Sequence, residues 1–221
     1  MIKTAMIFAA GVGERMRPLT LTCPKPLLEV HGTSLIARQL QKLKGAGVER
    51  VVINLSYLAD LIRTALGGGA AFGLQIAYSD EGAVALETGG GIRHALHLLG
   101  NKPFILTNGD LWTDFDYATL SDLQGNQKAH LVLVDNPAHH LEGDFALVNG
   151  RCKTCGPAKF TYSGIGVFSP ALFADLPVGR YRLAPILREA MRFGDVSGQH
   201  YQGEWTDVGT PERLAELNAR V

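Results

Sequence analysis

At 221 residues the chain exceeds an average domain, and this length favours one enlarged α/β domain over two. Hydrophobic residues make up 46% and charged residues 19%, which excludes disordered, collagen-like and coiled-coil proteins. The 21 basic and 21 acidic side chains cancel, so no overall field attracts nucleic acid or an anionic membrane surface. The sequence has neither a membrane-length apolar run nor the anatomy of a signal peptide, and we therefore expect a single domain over 1–221 in the cytoplasm.

Apolar runs and amphipathic segments alternate through the first half of the chain. The run over 5–10 is continuous and ends at glycine, which is typical of a strand buried on both faces of a parallel sheet. A helix over 34–46 with Ser34 as its N-cap should follow. Further elements, strand and helix in turn, are predicted at 51–55, 56–66, 74–78, 91–99 and 104–107. This order predicts a mostly parallel sheet with helices on both faces.

The second half adds strands without helices between them. These strands are predicted at 129–134, 145–148 and 160–168, and loops join them, which indicates added antiparallel strands. Helices are expected at 183–193 and 211–221. The last helix should have Thr210 as its N-cap and Pro211 in its first turn.

A glycine turn and a cluster of cations follow the first predicted strand. Met16 stands where a dinucleotide fingerprint needs its third glycine, and the Gly-Lys-Ser/Thr of a Walker loop is absent. Between residues 11 and 28 only Glu14 opposes the cations Arg15, Arg17 and Lys25. Glycine amides and local cations at the carboxyl end of a strand suit a polyphosphate. An ordinary βα turn with solvated charges is the alternative.

Two aspartates from separate segments have the chemistry of metal ligands. Asp110 follows the predicted strand at 104–107, and Asp207 lies in the loop before the last helix. Two carboxylates suit Mg²⁺, because phosphates and water complete its octahedron, although each aspartate alone is also typical of a turn or a cap. The competing pattern is Asp114-x-Asp116, a form used by metal-dependent glycosyltransferases; Asp116 could instead cap a helix over 117–123.

A pair of cysteines and a pair of histidines have residue types typical of metal or redox sites, but both pairs lack the further ligands that a metal site needs. Cys152 and Cys155 have zinc-ribbon or redox spacing, yet there is no second pair, and the dipeptide at 149–150 indicates a hairpin turn. His139 and His140 lie between a proline and a glycine in a predicted surface loop. We interpret the cysteines as packing or turn residues, and we allow a sugar contact for the histidines.

Several motifs together resemble the sugar-1-phosphate nucleotidylyltransferase family and cover nearly the whole chain. In chain order they are Gly11-x-Gly13-x-Arg15-Met16-Arg17-Pro18-Leu19-Thr20, then 24–28, 86–91, 108–110 and 205–211. Within the family, the segments at 131–140, 143–145, 183–185 and 196–201 are most similar to bacterial uridylyltransferases of cell-wall recycling. The longer members place a lysine of a Glu-Lys-Pro segment against the sugar phosphate. This chain has no such segment, only Lys159 nearby.

The resemblance implies a single-domain Rossmann-like nucleotidyltransferase fold of the GT-A type, with UTP and a sugar 1-phosphate as substrates and Mg²⁺ as cofactor. It assigns catalysis to Arg15, Lys25, Asp110 and Asp207, of which the two aspartates hold the metal. It assigns nucleotide binding to Ala10, Gly11, Gly13, Glu14, Arg15, Lys25, Glu81, Gly82, Thr88, Gly89 and Asn108. It assigns the sugar side to Glu87, Gly143, Asp144, Ser163 and Gly164. GTP in place of UTP, another sugar and a non-catalytic sugar-nucleotide-binding subunit stay open as alternatives.

Overall fold

A nine-stranded mixed sheet organises the chain, which a computed structural model describes over residues 1–220. The strands are β1 (Thr4–Phe8), β2 (Glu29–Val30), β3 (Thr33–Ser34), β4 (Arg50–Leu55), β5 (Gln75–Asp80), β6 (Phe104–Asn108), β7 (Leu111–Thr113), β8 (Ala129–Val134), β9 (Phe145–Val148), β10 (Arg151–Lys153), β11 (Lys159–Phe168), β12 (Val196–Tyr201) and β13 (Trp205–Asp207). The helices are α1 (Leu35–Gly45), α2 (Ala59–Leu66), α3 (Glu87–Leu99), α4 (Leu183–Arg192) and α5 (Pro211–Ala219).

The sheet has the order β5-β4-β1-β6-β11-β8-β12-β10-β9. Its first four strands are parallel, β11 runs antiparallel to β6 and β8, and β12 is parallel to β8. The predicted mixture of a parallel first half and added antiparallel strands is therefore confirmed. Two small separate sheets were not predicted from the sequence. One pairs β2 with β3, and the other pairs β7 with β13.

Helices cover both faces of the sheet, as predicted. Ala5 and Ile7 of β1 face a core that includes side chains of α1 and α2. Met6 faces the opposite core, which includes side chains of α3 and α4. Alternate residues of one strand thus enter two different cores, and this explains why the run is continuously apolar.

Local turn chemistry also follows the sequence. The Ser34 hydroxyl accepts a hydrogen bond from the Ala37 amide at 3.3 Å and caps α1. The Thr210 hydroxyl caps α5 by accepting from the Arg213 amide at 3.4 Å. The predicted end of this last helix at residue 221 lies outside the described residues. The turn at 149–150, with positive φ at both residues, joins β9 to β10 as the predicted hairpin.

Two elements differ from the sequence prediction. The predicted helix over 117–123 is a 3₁₀ turn over Tyr117–Thr119, whose Ala118 amide donates to Asp116 Oδ1 at 2.9 Å. Asp116 is thus a cap, but of a much shorter element. Helix α3 begins at Glu87 rather than residue 91, because the glycines at 89–91 lie inside the helix. A Cβ at Gly90 would lie 2.3 Å from a carbonyl of the segment that crosses it, so these glycines permit close packing.

Met16 explains why the glycine loop departs from a dinucleotide fingerprint. Its side chain is completely buried in a third small core, together with Val30 and Val208. The loop after β1 is therefore anchored by a methionine where a dinucleotide-binding loop has glycine. Among residues 1–220, no helix combines the length and the apolar character that crossing a lipid bilayer requires.

Candidate active site

A cavity of about 670 Å³ opens at the carboxyl ends of the neighbouring parallel strands β1, β4 and β6. Open α/β sheets bind their ligands at this edge. Eleven of the residues assigned from the sequence line this cavity together: Ala10, Gly11, Gly13, Glu14, Arg15, Lys25, Glu81, Glu87, Thr88, Asn108 and Asp110.

The glycine loop is held against the segment that carries Lys25. The Thr20 hydroxyl donates to the Gly13 carbonyl at 2.8 Å. Gly13 has a φ of 69°, and a Cβ there would lie 2.9 Å from Thr20 Cγ2 and 3.4 Å from Lys25 Cβ. Only glycine fits this left-handed position without strain. The loop and the lysine therefore form one wall of the cavity.

The two predicted metal ligands are brought together by a small sheet. β13 pairs antiparallel with β7, so Asp207 lies opposite Leu111, and the Val208 amide donates to the Asp110 carbonyl at 3.0 Å. Asp110 Oδ2 contacts Lys25 Nζ, and both side chains are largely buried. Asp110 lines the cavity, whereas Asp207 does not; its carboxylate lies beside Gly209, which does line the cavity.

The carboxylate of Asp207 is oriented by two cationic or polar side chains. Its Oδ1 accepts from Arg213 Nη1 at 2.8 Å, and His139 Nε2 lies 3.4 Å away. A Cβ at Gly209, which lines the cavity, would lie 3.0 Å from Asp207 Oδ2 and 3.4 Å from Arg15 Nη2. Arg15 therefore stands close to this carboxylate at the cavity wall.

The donor set at this end of the cavity fits a hard divalent cation. Within residues 1–220, no hydrogen bond engages Oδ1 of Asp110 or Oδ2 of Asp207, so each carboxylate keeps one oxygen for a ligand. Over the same described residues, there is no group of three or more His, Cys, Asp or Glu side chains placed to hold a metal ion. Two carboxylates suffice for Mg²⁺ where substrate phosphates and water supply the other oxygens.

A buried asparagine that sequence reasoning missed organises the opposite end of the cavity. The Ala9 amide donates to Asn54 Oδ1 at 2.8 Å, and Asn54 Nδ2 donates to Glu81 Oε1 at 2.7 Å. The Leu86 amide donates to Glu81 Oε2 at 2.6 Å. Both oxygens of Glu81 are thus engaged by protein donors. The available signal was one amide side chain among the apolar residues at 51–55 of β4.

Arg180 is a second cavity residue that the sequence did not reveal. Its Nη2 lies 2.9 Å from Oε1 of Glu87, and both residues line the cavity. Glu87 has a φ of 62°, a left-handed conformation that is uncommon for a residue with a side chain. Such strain concentrates at functional sites, which makes this ion pair part of the candidate site.

Two glycines assigned to nucleotide binding do not line the cavity. The Gly89 amide donates to the Tyr181 carbonyl at 2.8 Å and so helps to hold the crossing segment. Gly82, with a φ of 73°, donates its amide to Asp80 Oδ1 at 2.9 Å and forms a turn. Hydrogen bonds from Gly82 and Arg63 lower the pKa of Asp80 and keep this turn charged. A nucleotide contact at either glycine stays a prediction.

Ser163 and Gly164, two of the residues assigned to the sugar side, lie at a bulge in β11. Between Tyr162 and Gly166 the pairing with β8 shifts, and a Cβ at Gly164 would lie 2.5 Å from Asn108 Nδ2. The buried Ser163 hydroxyl donates to the Val132 carbonyl at 2.7 Å, so its side chain faces the core.

Gly143 and Asp144 lie further along the same side. The Asp144 carboxylate accepts from the Tyr162 amide at 2.8 Å, and His140 Nε2 lies 3.2 Å from its other oxygen. Gly143 has a φ of 61°, and a Cβ there would lie 2.7 Å from Asn136 Oδ1. Sugar contacts at these positions stay predictions.

The residues of the Asp-x-Asp and Cys-x-x-Cys patterns lie outside the cavity. Asp114 Oδ1 accepts a hydrogen bond from the Tyr201 hydroxyl, whose pKa is raised by burial and by this carboxylate. Cys152 is buried, which raises the pKa of its thiol to about 12, whereas Cys155 is exposed. The Asp-x-Asp pattern and the Cys-x-x-Cys pattern therefore do not contribute to the cavity walls.

The chain is similar in sequence to one protein family and to two enzymes of known name. Residues 4–149 match the family described as Nucleotidyl transferase. The chain is 49% identical to the N-acetylmuramate alpha-1-phosphate uridylyltransferase of Neisseria meningitidis serogroup B, over 97% of this chain and 96% of that protein. It is 38% identical to the enzyme of the same name from Caulobacter vibrioides, over 99% and 97% of the two chains.

A solved structure gives an independent view of the fold. The inositol-1-phosphate CTP transferase of T. maritima superposes with a TM-score of 0.80, covering 100% of this chain and 98% of that one, at 18% sequence identity. At this identity the likeness concerns the fold alone. It confirms the α/β nucleotidyltransferase architecture.

Proposed function

This chain belongs to the nucleotidyl transferase family, and we propose that it transfers the uridylyl group of UTP to N-acetylmuramate 1-phosphate. The products are UDP-N-acetylmuramate and pyrophosphate. Two near full-length relatives with this activity in their names, at 49% and 38% identity, support this assignment over a guanylyltransferase. The observation that carries it in the structure is the meeting of the glycine loop, Lys25 and Asp110 in one cavity. Because UTP is a cytoplasmic metabolite, the proposal includes a cytoplasmic location.

The reaction requires alignment and cations rather than a base. A phosphate oxygen of N-acetylmuramate 1-phosphate attacks the α-phosphorus of UTP and forms a new oxygen–phosphorus bond. The bond from the α-phosphorus to the oxygen shared with the β-phosphate breaks, and its electron pair leaves with pyrophosphate. The attacking oxygen is already anionic at neutral pH, so no proton has to be removed. The barrier is the repulsion between two anions and the charge that develops on pyrophosphate.

The cavity walls supply positive charge where this repulsion arises. Gly11, Gly13 and Arg15 line the cavity, and the two backbone amides and the guanidinium would bind the triphosphate. Lys25 bonds to Asp110 and would meet the α-phosphate and the incoming sugar phosphate. In a site shielded from water, such fixed charges stabilise the transition state more strongly than they would in bulk solvent.

The family generally uses a divalent metal ion, and we propose Mg²⁺, held by Asp110 and Asp207. When bound, this ion neutralises the phosphates and polarises them for attack. The free oxygen on each carboxylate supports this role. Arg213 and His139 would fix the Asp207 carboxylate in the orientation that the ion needs.

The test is pyrophosphate release over a grid of four nucleoside triphosphates and several sugar 1-phosphates, with Mg²⁺ present. We expect the highest kcat/KM with UTP and N-acetylmuramate 1-phosphate, and no release when the sugar phosphate is omitted. Preference for GTP with mannose 1-phosphate would replace the proposal with the guanylyltransferase alternative. Binding of a sugar nucleotide without any turnover would instead indicate the regulatory subunit.

A further inference from the structure

A chain of buried polar side chains lies behind the loop that carries Asp110. Thr107 Oγ1 and the Tyr117 hydroxyl are 2.7 Å apart, and Tyr117 donates to Gln39 Oε1 at 2.6 Å. Gln39 Nε2 then donates to the Leu111 carbonyl at 2.8 Å. Since the Tyr117 proton points to Gln39, the Thr107 hydroxyl is the donor in the first bond. We refer to these four bonded residues as the clamp.

The two ends of the clamp lie on either side of the segment 108–110, which is the last residue of β6 and the turn after it. Thr107 immediately precedes this segment, and Leu111 immediately follows it. On the other side, the Gly109 amide donates to the Phe8 carbonyl at 2.9 Å, and the Asp110 carbonyl accepts from Val208 at 3.0 Å. Hydrogen bonds to four separate segments of the chain, which carry Phe8, Gln39, Tyr117 and Val208, therefore fix residues 107–111.

Burial of so many polar groups needs a reason beyond packing. Thr107, Gln39 and Tyr117 are each at most 1% exposed, and none of them lines the cavity. Apolar side chains of similar volume fill a core without the desolvation that polar groups suffer. Burial also raises the pKa of Tyr117, which keeps its phenol a hydrogen-bond donor. A buried network in which every polar group has a hydrogen-bond partner favours one backbone conformation over the alternatives.

We propose that Gln39, Tyr117 and Thr107 are positioning residues that hold the Asp110 carboxylate in register with the metal ion and Lys25. The proposal rests on the function and the metal ligands proposed above. It extends them to residues that touch neither substrate nor metal. Partners of metal ligands act in this way because a small rotation of a carboxylate alters both metal affinity and alignment.

The test uses near-isosteric variants of the clamp. Tyr117→Phe and Thr107→Val each remove one hydroxyl, and Thr107→Ser keeps it. With UTP present, electron paramagnetic resonance measures the Mn²⁺ dissociation constant, and steady-state assays give kcat and the KM for N-acetylmuramate 1-phosphate. For Tyr117→Phe and Thr107→Val we expect the Mn²⁺ dissociation constant to rise and kcat to fall, each by roughly 10- to 100-fold. The KM should change little, and Thr107→Ser should resemble the wild type.

A matched control separates positioning from stability. Ser197→Ala removes a buried hydroxyl of β12, three strands away from β6 in the sheet, that bonds His130 at 2.9 Å. It should lower the melting temperature about as much as the clamp variants and leave the Mn²⁺ dissociation constant unchanged. If the clamp variants lost stability but kept wild-type Mn²⁺ binding and kcat, the clamp would be structural only, and the proposal would fail.

The same measurements distinguish a failure of the clamp from a failure of the proposed function. Asp110→Asn should weaken Mn²⁺ binding by the enzyme–UTP complex to the level of UTP alone. If it does not, the metal assignment is wrong, whatever the clamp variants show. If the wild type binds Mn²⁺ with UTP but does not use N-acetylmuramate 1-phosphate, the substrate assignment fails. The Mn²⁺ dissociation constants would still decide whether the clamp positions Asp110.

Discussion

Lys25 and Arg15 are both cations at the phosphate end of the cavity, but their surroundings differ. Lys25 is largely buried and bonded to Asp110, whereas Arg15 is exposed near Gly209. A buried charge whose interaction strengthens as two anions converge acts mainly in the transition state. An exposed cation that contacts the triphosphate acts in the ground state as well. Removal of the Lys25 side chain and removal of the Arg15 side chain should therefore change kcat and the KM for UTP differently.

We expect Lys25→Ala chiefly to lower kcat, by about 100-fold, which corresponds to ~3 kcal/mol for one charged contact in a shielded site. Arg15→Ala should raise the KM for UTP and lower kcat together. Steady-state kinetics with UTP and N-acetylmuramate 1-phosphate measure both effects, and Arg17→Ala is the control, since Arg17 is exposed and does not line the cavity. A raised KM with intact kcat in Lys25→Ala would make the lysine a binding contact only.

The two aspartates at the site should be indispensable, while the Asp-x-Asp pair should not be. We expect Asp110→Asn and Asp207→Asn to abolish turnover and to leave the circular dichroism spectrum unchanged, because each loses a charged oxygen for the metal. Mg²⁺ titrations at limiting concentration measure this loss. Near-normal rates in either variant would refute the metal assignment.

The matched control for this prediction is the double variant Asp114→Ala with Asp116→Ala. Asp116 caps a short turn and Asp114 bonds Tyr201, so the expected cost is about 1–2 kcal/mol of stability with most activity kept. Complete inactivity with an intact fold would instead revive the glycosyltransferase interpretation.

A glycine of helix α3 makes room for the Glu81 carboxylate at one end of the cavity. A Cβ at Gly91 would lie 2.6 Å from Glu81 Oε1 and 3.1 Å from Asn54 Nδ2. The helix thus needs glycine at this position so that Glu81 keeps its bond to Asn54. In contrast, Gly45 at the end of α1 has no atom within 4 Å of a Cβ position.

We expect Gly91→Ala to displace the Glu81 carboxylate and to raise the KM for UTP while kcat changes less. Its effect on the melting temperature should be small, because alanine stabilises a helix by about 0.5–1 kcal/mol over glycine and offsets part of the strain. Gly45→Ala is the matched control and should stabilise the protein without changing the KM. An unaltered KM in Gly91→Ala would mean that Glu81 does not shape the nucleotide site.

Sequence patterns predicted the long elements because burial on both faces leaves a strong apolar signal. β1, β4 and β8 were found within two residues of their bounds for this reason. β7 and β13 are only three residues long, which is too short to show a comparable period. Yet their pairing is what brings Asp207 to Asp110. The motif resemblance therefore identified both aspartates, but residue patterns alone gave no reason for them to meet.

Three residues at or near the site could not be predicted from the sequence. Asn54 and Gln39 are single polar residues inside apolar elements, and only their bonds to Glu81 and Leu111 reveal their use. Arg180 lies in an irregular segment with no periodicity, and its place in the cavity follows from the glycines of α3. Such roles depend on contacts between distant segments, which local patterns do not encode.

The two halves of the sheet are built differently but are joined, and we expect them to unfold together. The antiparallel pairing of β11 with β6 and β8 joins the nucleotide half to the second half within one continuous sheet. One sheet with cores on both faces predicts a single cooperative unit. The expected single domain over 1–221 stays a prediction until this cooperativity is measured.

Cys152 offers a direct probe, because it lies in the second half, far along the chain from the glycine loop. Its Sγ is buried and donates to the Ser197 carbonyl at 3.4 Å, and burial raises the pKa of the thiol to about 12. At pH 8 almost none of it is the reactive thiolate, whereas Cys155 is exposed. We expect a thiol reagent to label Cys155 at once and Cys152 only when the protein opens.

If opening is global, substrates bound at the other half should slow the labelling of Cys152. UTP with Mg²⁺ at 100 times the dissociation constant stabilises the native state by about 2.7 kcal/mol, which predicts roughly 100-fold slower labelling. The measurement is the rate of Cys152 modification by mass spectrometry in a Cys155→Ser variant, with and without UTP and Mg²⁺. Asp110→Asn, whose metal binding should be lost, is the control and should show little protection. If UTP does not change the rate of Cys152 labelling in the protein with an intact site, the second half of the sheet opens by itself. The prediction of a single cooperative domain would then be wrong.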